Sequence, residues 1–298
     1  MTGPAVPPTE DRNPRSAGLD RMETRRILEL LNDEDRTVGV AVSRALPEIV
    51  RATDLAVAAL EGGGRLVYCG AGSSGRIAAL DAAELPPTFG IPADRVIAVV
   101  AGGPAALATA VEGAEDDALD AVACMRRLNV GAADCVFGIT ASGTTRFVLG
   151  GLGEAREQGA RTALLTCLPK APAGPWDCVV SVDTGPEVLA GSTRLKAGTA
   201  CKLVLNMIST AAMVRLGKVY DNLMVDVRAT NEKLRRRAAR IVETVSGAPP
   251  ERARQALDAC GGDPKTAIVS IRLGVDALES RRRLEDARGD LRRVLEGR

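Results

Sequence analysis

Five short apolar runs, separated by segments of helical length, constrain this chain more than any other feature of its sequence. They occupy residues 65–69, 95–100, 135–140, 162–168 and 179–182. Each is bounded by glycine or polar residues and reads as a strand. Strands that alternate with helices argue for a five-stranded parallel sheet covered on both faces, a three-layer αβα sandwich. For the strand order 2-1-3-4-5, a ligand sits beyond the carboxyl ends, between the first and third strands, where the order reverses. Those two runs lead into GAGSSGR (70–76 with Gly70 first) and TASGTTR (140–146), both rich in glycine and hydroxyl residues.

A strand, a tight turn and a helix start together offer unpaired backbone N–H groups to an anion. The first turn does not match a dinucleotide fingerprint. The second strand runs into Ala101-Gly102-Gly103 and brings no acidic residue to its end. The turn also lacks the Gly-Lys-Ser/Thr ending of a nucleotide-binding P-loop. A monophosphate held by backbone N–H and hydroxyl groups fits it better.

The chain contains no histidine in 298 residues. The usual metal ligand and the usual general base are therefore both missing, and proton transfers fall to Glu, Asp, Lys or Tyr. Two acidic groups stand out. Asp81 and Glu84 lie on the helix after the first turn, and Leu85, Pro86 and Pro87 give Glu84 a poorly hydrated setting of the kind that raises a carboxyl pKa. Glu112, Glu115, Asp116 and Asp117 form a second cluster in VEGAEDD. Spacing alone does not choose among these carboxylates, and a solvated surface remains the plain reading of both groups.

Net charge is +1 and aromatics make up 2% of the residues. The first gives no basis for attraction to nucleic acid or to an anionic membrane, and the second requires an aliphatic core. The arginines near the C-terminus alternate with Glu279, Glu285, Asp286, Asp290 and Glu296, and no aromatic residue follows Tyr220 to stack a base. They read as a solvated helix face. Seven cysteines without a CxxC pair read as reduced, buried thiols. No leader-like segment and no apolar run of about 18 residues is evident, so a cytoplasmic protein without a membrane span is expected.

The remaining expectations concern helices. Residues 22–38 read as a helix closed by a turn, and 36–60 as a longer one with a break near Pro47. Residues 104–128 read as a helix broken near Gly113. A mostly apolar helix spans 195–216, with Thr199, Lys202, Asn206 and Ser209 along one stripe facing a site, an interface or water. One helix covers 223–245, and short helices follow at 251–260, 263–274, 276–287 and 291–296.

Four blocks carry a family resemblance: GAGSSGRIAALDAAELPPTFG, AVEGAEDD, TGPEVLAGSTRLKAGTACKLVLNM and GKVYDNLMVDVRATNEKL. Together they resemble N-acetylmuramic acid 6-phosphate etherases over roughly residues 9–298. The resemblance implies an N-terminal arm and helices over 1–54, a sugar isomerase-type domain over 55–221 and a helical region over 222–298. It also implies a homodimer with no cofactor and no metal, acting on a phosphorylated amino sugar in cell-wall recycling. Its reaction cleaves the D-lactyl ether, leaving N-acetylglucosamine 6-phosphate and D-lactate. By resemblance Glu84 is the proton donor to the lactyl oxygen and Glu115 the base at C2. Ser73, Ser74, Ser142, Gly143, Thr144 and Thr145 are the candidates for the 6-phosphate and sugar hydroxyls. Where the family commonly reads ASGRTPY, this chain has ASGTTRF (141–147), which moves the arginine to Arg146. An aldose–ketose sugar-phosphate isomerase and a non-catalytic sugar-phosphate-binding regulator are the alternative readings. A DNA-binding regulator fits least, because 20–60 lack the basic character of a helix-turn-helix.

Overall fold

In the computed structural model, which describes residues 8–227 and 232–297, the five apolar runs pair as one parallel sheet in the order β2-β1-β3-β4-β5. The strands are β1 (Leu66–Gly70), β2 (Val96–Val100), β3 (Cys135–Ile139), β4 (Arg161–Thr166) and β5 (Cys178–Ser181). β1 and β3 are buried at every position, as a sheet with helices on both faces requires. Gly70 pairs with Val100 on one side and Ile139 on the other, so the turns after β1 and β3 leave the sheet side by side.

The helices are α1 (Thr24–Arg44), α2 (Leu46–Glu61), α3 (Gly72–Phe89), α4 (Ala118–Arg127), α5 (Arg146–Glu157) and α6 (Lys196–Arg215). After α6 come a two-stranded hairpin, β6 (Val219–Tyr220) with β7 (Leu223–Met224), and then α7 (Glu232–Ser246). The last four helices are α8 (Pro250–Ala259), α9 (Pro264–Leu273), α10 (Ala277–Asp286) and α11 (Leu291–Glu296).

The chain divides into two compact units: the chain up to Ala82 with Asp94–Ser209, and Ala83–Ala93 with the chain from Thr210 onward. In the first, Val67, Cys69 and Val136 of the sheet pack against Met125 of α4 and Phe147, Val148 and Leu152 of α5. With few aromatics to place, the sheet uses two at its centre, and Tyr68 and Phe137 meet edge to face at 6.3 Å. The second unit has its own core, with Val225, Ile241, Leu257, Ile268 and Leu284 buried together. There the buried Lys265 ammonium donates to Gly217 O (2.8 Å), Asp226 Oδ2 (2.7 Å) and Gly289 O (2.6 Å).

Several expectations about helices are corrected. The turn expected near residue 36 is absent, because α1 runs on to Arg44. Glu34, within that charged stretch, is buried and accepts from Lys196 Nζ at 2.7 Å and Arg15 Nη1 at 2.7 Å. The break falls at Ala45, just before Pro47. Residues 104–128 are helical only in two 3-10 turns, Gly103–Leu107 and Ala114–Asp116, and in α4; Gly102 and Gly113 precede those turns at φ 81° and 73°. The helix expected over 223–245 gives way to β7 and then α7, and its residues 228–231 lie outside the described residues. By length and composition α6 is apolar enough to cross a membrane, contrary to expectation; 56% of that stretch is buried inside the protein, as in a core helix.

Candidate functional site

The turn after β1 is built by glycine. A Cβ on Gly75 would lie 2.8 Å from Gly70 O and from Val100 Cγ1, and one on Gly70 would lie 2.9 Å from Gly75 Cα. The first turn of α3 therefore rests on the ends of β1 and β2 at a distance only glycine permits. The chain enters α3 through Gly72 at φ 52°. Gly75 N–H closes back onto Ala71 O at 3.1 Å, while among the described residues the Ser73 and Ser74 hydroxyls and amides have no protein partner. Those amides are the orphan donors of a helix start.

Hydroxyl groups build the turn after β3. Thr140 Oγ1 lies 2.7 Å from Thr145 Oγ1 and 3.4 Å from Ser142 Oγ, and Ser142 Oγ accepts from Thr144 Oγ1 at 3.0 Å and Thr144 N at 3.3 Å. Gly143 takes φ 70°, and a Cβ there would lie 2.7 Å from Pro172 Cδ. Thr145 sits at the N-cap of α5 but does not cap it, because its hydroxyl is turned to Thr140. The first amides of α5 are thus left without a side-chain cap, as in α3.

Past β2, the chain carries Glu115 on the exposed 3-10 turn Ala114–Asp116, which packs on α5. Asp117 N-caps α4 by accepting from Asp120 N at 2.9 Å. A Cβ on Gly150 would lie 2.8 Å from Ala118 O, so α4 begins in contact with the second turn of α5. The first unit thus gathers Ser73, Ser74, Ser142, Gly143, Thr144, Thr145 and Glu115 on elements flanking the reversal of strand order. Glu84 belongs to the other unit.

On α3, the carboxylate taken from water is Asp81, not Glu84. Asp81 is buried and accepts from Tyr68 Oη at 2.9 Å and Ser209 Oγ at 3.1 Å. Burial pushes its carboxyl above the ordinary aspartate value, against those two hydrogen bonds and the charge of Lys202. Burial, and then the charge of Asp81, push the Tyr68 phenol well up. Glu84 itself is exposed, although Leu85 beside it is buried, so the poorly hydrated setting expected for it is not found. Of the α6 stripe, Ser209 reaches Asp81, Lys202 donates to Asn206, and Thr199 donates to Leu195 O at 3.1 Å.

Sequence reasoning missed Glu187. This fully buried carboxylate accepts from Lys196 N and Ala197 N, each at 2.9 Å, and so caps α6 from the preceding loop. Burial pushes its carboxyl up, against the N–H bonds from Ala197 and Lys196. The only available signal was a lone acidic residue in an otherwise uncharged run, TGPEVLAGST. Among the described residues, no group of three His, Cys, Asp or Glu side chains is placed to hold a metal ion. The arrangement can bind an anion at two adjacent uncapped helix starts and move a proton at an exposed carboxylate nearby.

A family model described as the N-terminal SIS domain of glucokinase regulatory protein matches residues 48–156. The chain is 54% identical to an N-acetylmuramic acid 6-phosphate etherase of Rubrobacter xylanophilus, over 97% of this chain and 96% of the relative. It is 53% identical to one of Mycolicibacterium smegmatis and 52% identical to one of Serratia proteamaculans, over 96% of this chain and 97% of the relative in each case.

Proposed function

The chain belongs to the N-acetylmuramic acid 6-phosphate etherase family, and we propose that it cleaves the D-lactyl ether of that sugar phosphate in the cytoplasm, as a homodimer. The products are N-acetylglucosamine 6-phosphate and D-lactate, and the reaction serves recycling of cell-wall amino sugar. The observation that carries this reading is the pair of uncapped helix starts at α3 and α5, side by side where strand order reverses, with Glu115 on a turn packed against α5.

In the open-chain sugar the C1 aldehyde acidifies the C2 proton. Glu115 removes that proton while Glu84 protonates the departing C3 oxygen, so the C3–O bond breaks and D-lactate leaves. An unsaturated aldehyde remains. Water then adds at C3 and a proton returns to C2, giving N-acetylglucosamine 6-phosphate. Ser73, Ser74, Ser142, Gly143, Thr144 and Thr145 hold the 6-phosphate and sugar hydroxyls. Two carboxylates supply every proton transfer, so no histidine is needed, and the chain has none.

The test is turnover of N-acetylmuramic acid 6-phosphate in deuterated water. The expected result is equimolar D-lactate and a product carrying deuterium at C2. Conversion to a ketose without lactate would identify an isomerase instead, and saturable binding without turnover would identify a regulator.

A further inference from the structure

We infer that Arg76 recognises the carboxylate of the lactyl group and so distinguishes the substrate from its product; this rests on the function proposed above. Arg76 lies on the first turns of α3, at i+3 from Ser73, so the two side chains leave the same face of the helix. Its Nε donates to Ala106 O at 2.8 Å, which fixes the plane of the half-buried guanidinium. Among the described residues its two terminal amino groups have no acceptor and no carboxylate within ion-pair distance. A guanidinium held by Nε alone presents its two remaining nitrogens as a preorganised fork, the geometry that binds an oxyanion through both oxygens.

Its direction separates it from the phosphate turns. Those turns follow β1 and β3, whereas Ala106 lies in the 3-10 turn after β2, on the opposite side of β1. The same connection goes on to Glu115. The substrate carries two anions at separate positions, the phosphate at C6 and the lactyl carboxylate at C3, next to the carbon from which Glu115 takes its proton. A fork on the β2 side of the site suits the second. Two hydroxyl-lined turns already serve the first.

Phosphate and carboxylate present similar oxygens, so the test uses ligands that carry one or the other. Initial rates of lactate release are measured for the full chain, for Arg76→Lys and for Arg76→Ala, with N-acetylglucosamine 6-phosphate as competitive inhibitor. That product keeps the phosphate and lacks the lactyl group. Both variants are expected to raise KM for N-acetylmuramic acid 6-phosphate by about 10- to 100-fold, with the inhibition constant of the product within about twofold of the parent value. Arg76→Lys keeps a donor for Ala106 O and a positive charge, so it guards against simple loss of folding. An equal weakening of the product would assign Arg76 to the phosphate and overturn the inference. A fall in melting temperature with both constants unchanged would make it a staple between α3 and the β2 connection, with the same consequence. If the parent protein releases no lactate at all, the proposed function fails before Arg76 is reached.

Discussion

The two ends of the parallel sheet handle their polar groups in opposite ways. At the amino ends, carboxylates and guanidinium groups close onto one another and onto backbone groups. Asp134, ahead of β3, accepts from Arg65 N (2.9 Å), Nε (3.0 Å) and Nη2 (2.7 Å) and from Gly131 N (3.0 Å). Arg65 also donates to Leu128 O and Asn129 O, and Arg95 closes onto Gly64 O and Leu60 O. Asp177 likewise accepts from Thr162 N at 2.8 Å and Arg161 Nη1 at 3.0 Å. At the carboxyl ends, Ser73 and Ser74 have no protein partner among the described residues, and α5 begins without a side-chain cap. The first end is tied together by these bonds, while the second leaves donors unused among the described residues, as the proposed anion site requires.

This contrast can be broken at either end. The largest expected effect comes from Asp134→Ala, which takes the carboxylate from the Arg65 guanidinium and leaves the backbone N–H groups of Arg65 and Gly131 without their acceptor. A loss of about 3 kcal/mol in unfolding free energy is expected, read from urea denaturation, with KM of the folded protein unchanged. A shift in KM would show that the two ends are not separable.

The same pair sets a pH dependence. Burial alone would raise the Asp134 carboxyl, but the hydrogen bonds from Arg65 and Gly131 and the charge of Arg65 outweigh it and hold the group below its ordinary value. A lowered folded-state pKa gives stability that is present above the unfolded value of about 4 and is lost as pH falls through the folded one. The stability gap between parent and Asp134→Asn should therefore be full at neutral pH and shrink on acidification below about pH 4.

At the carboxyl end, Ser73→Ala removes a hydroxyl that no group among the described residues uses. Its stability cost should stay within about 0.5 kcal/mol, while KM rises about tenfold. Thr140→Val lies between the two behaviours. Its hydroxyl joins Thr145 to Ser142, so a stability loss of about 1 kcal/mol and a KM change of only a few fold are expected from one variant. A large KM effect there would mean that the hydroxyl chain itself contacts substrate.

The sheet was legible because apolar runs of strand length are a local signal. The four C-terminal helices were legible for a similar reason, since Gly and Asp-Pro mark their ends. What escaped was non-local. The turn expected within the charged stretch of α1 fails because Glu34 pairs with Lys196, far along the chain. The break expected near Gly113 is present, at φ 73°, but the stretch before it holds only a 3-10 turn, Gly103–Leu107, entered through Gly102 at positive φ, where a Cβ would lie 2.8 Å from Val111. At the site, both hydroxyl turns could be read from residue type and spacing. Which of Asp81 and Glu84 is taken from water could not, because it turns on tertiary contacts: Asp81 is buried and held by Tyr68 and Ser209, while Glu84 is exposed. Arg76 was passed over because its interest lies in what its fork does not touch.

The division of labour between the two glutamates is tested most directly by C2 proton exchange in deuterated water, followed together with lactate release. Glu84→Gln is expected to exchange the C2 proton of N-acetylmuramic acid 6-phosphate and to release lactate poorly, whereas Glu115→Gln should lose both. Exchange retained in Glu115→Gln and lost in Glu84→Gln would reverse the assignment and contradict the mechanism proposed for this site.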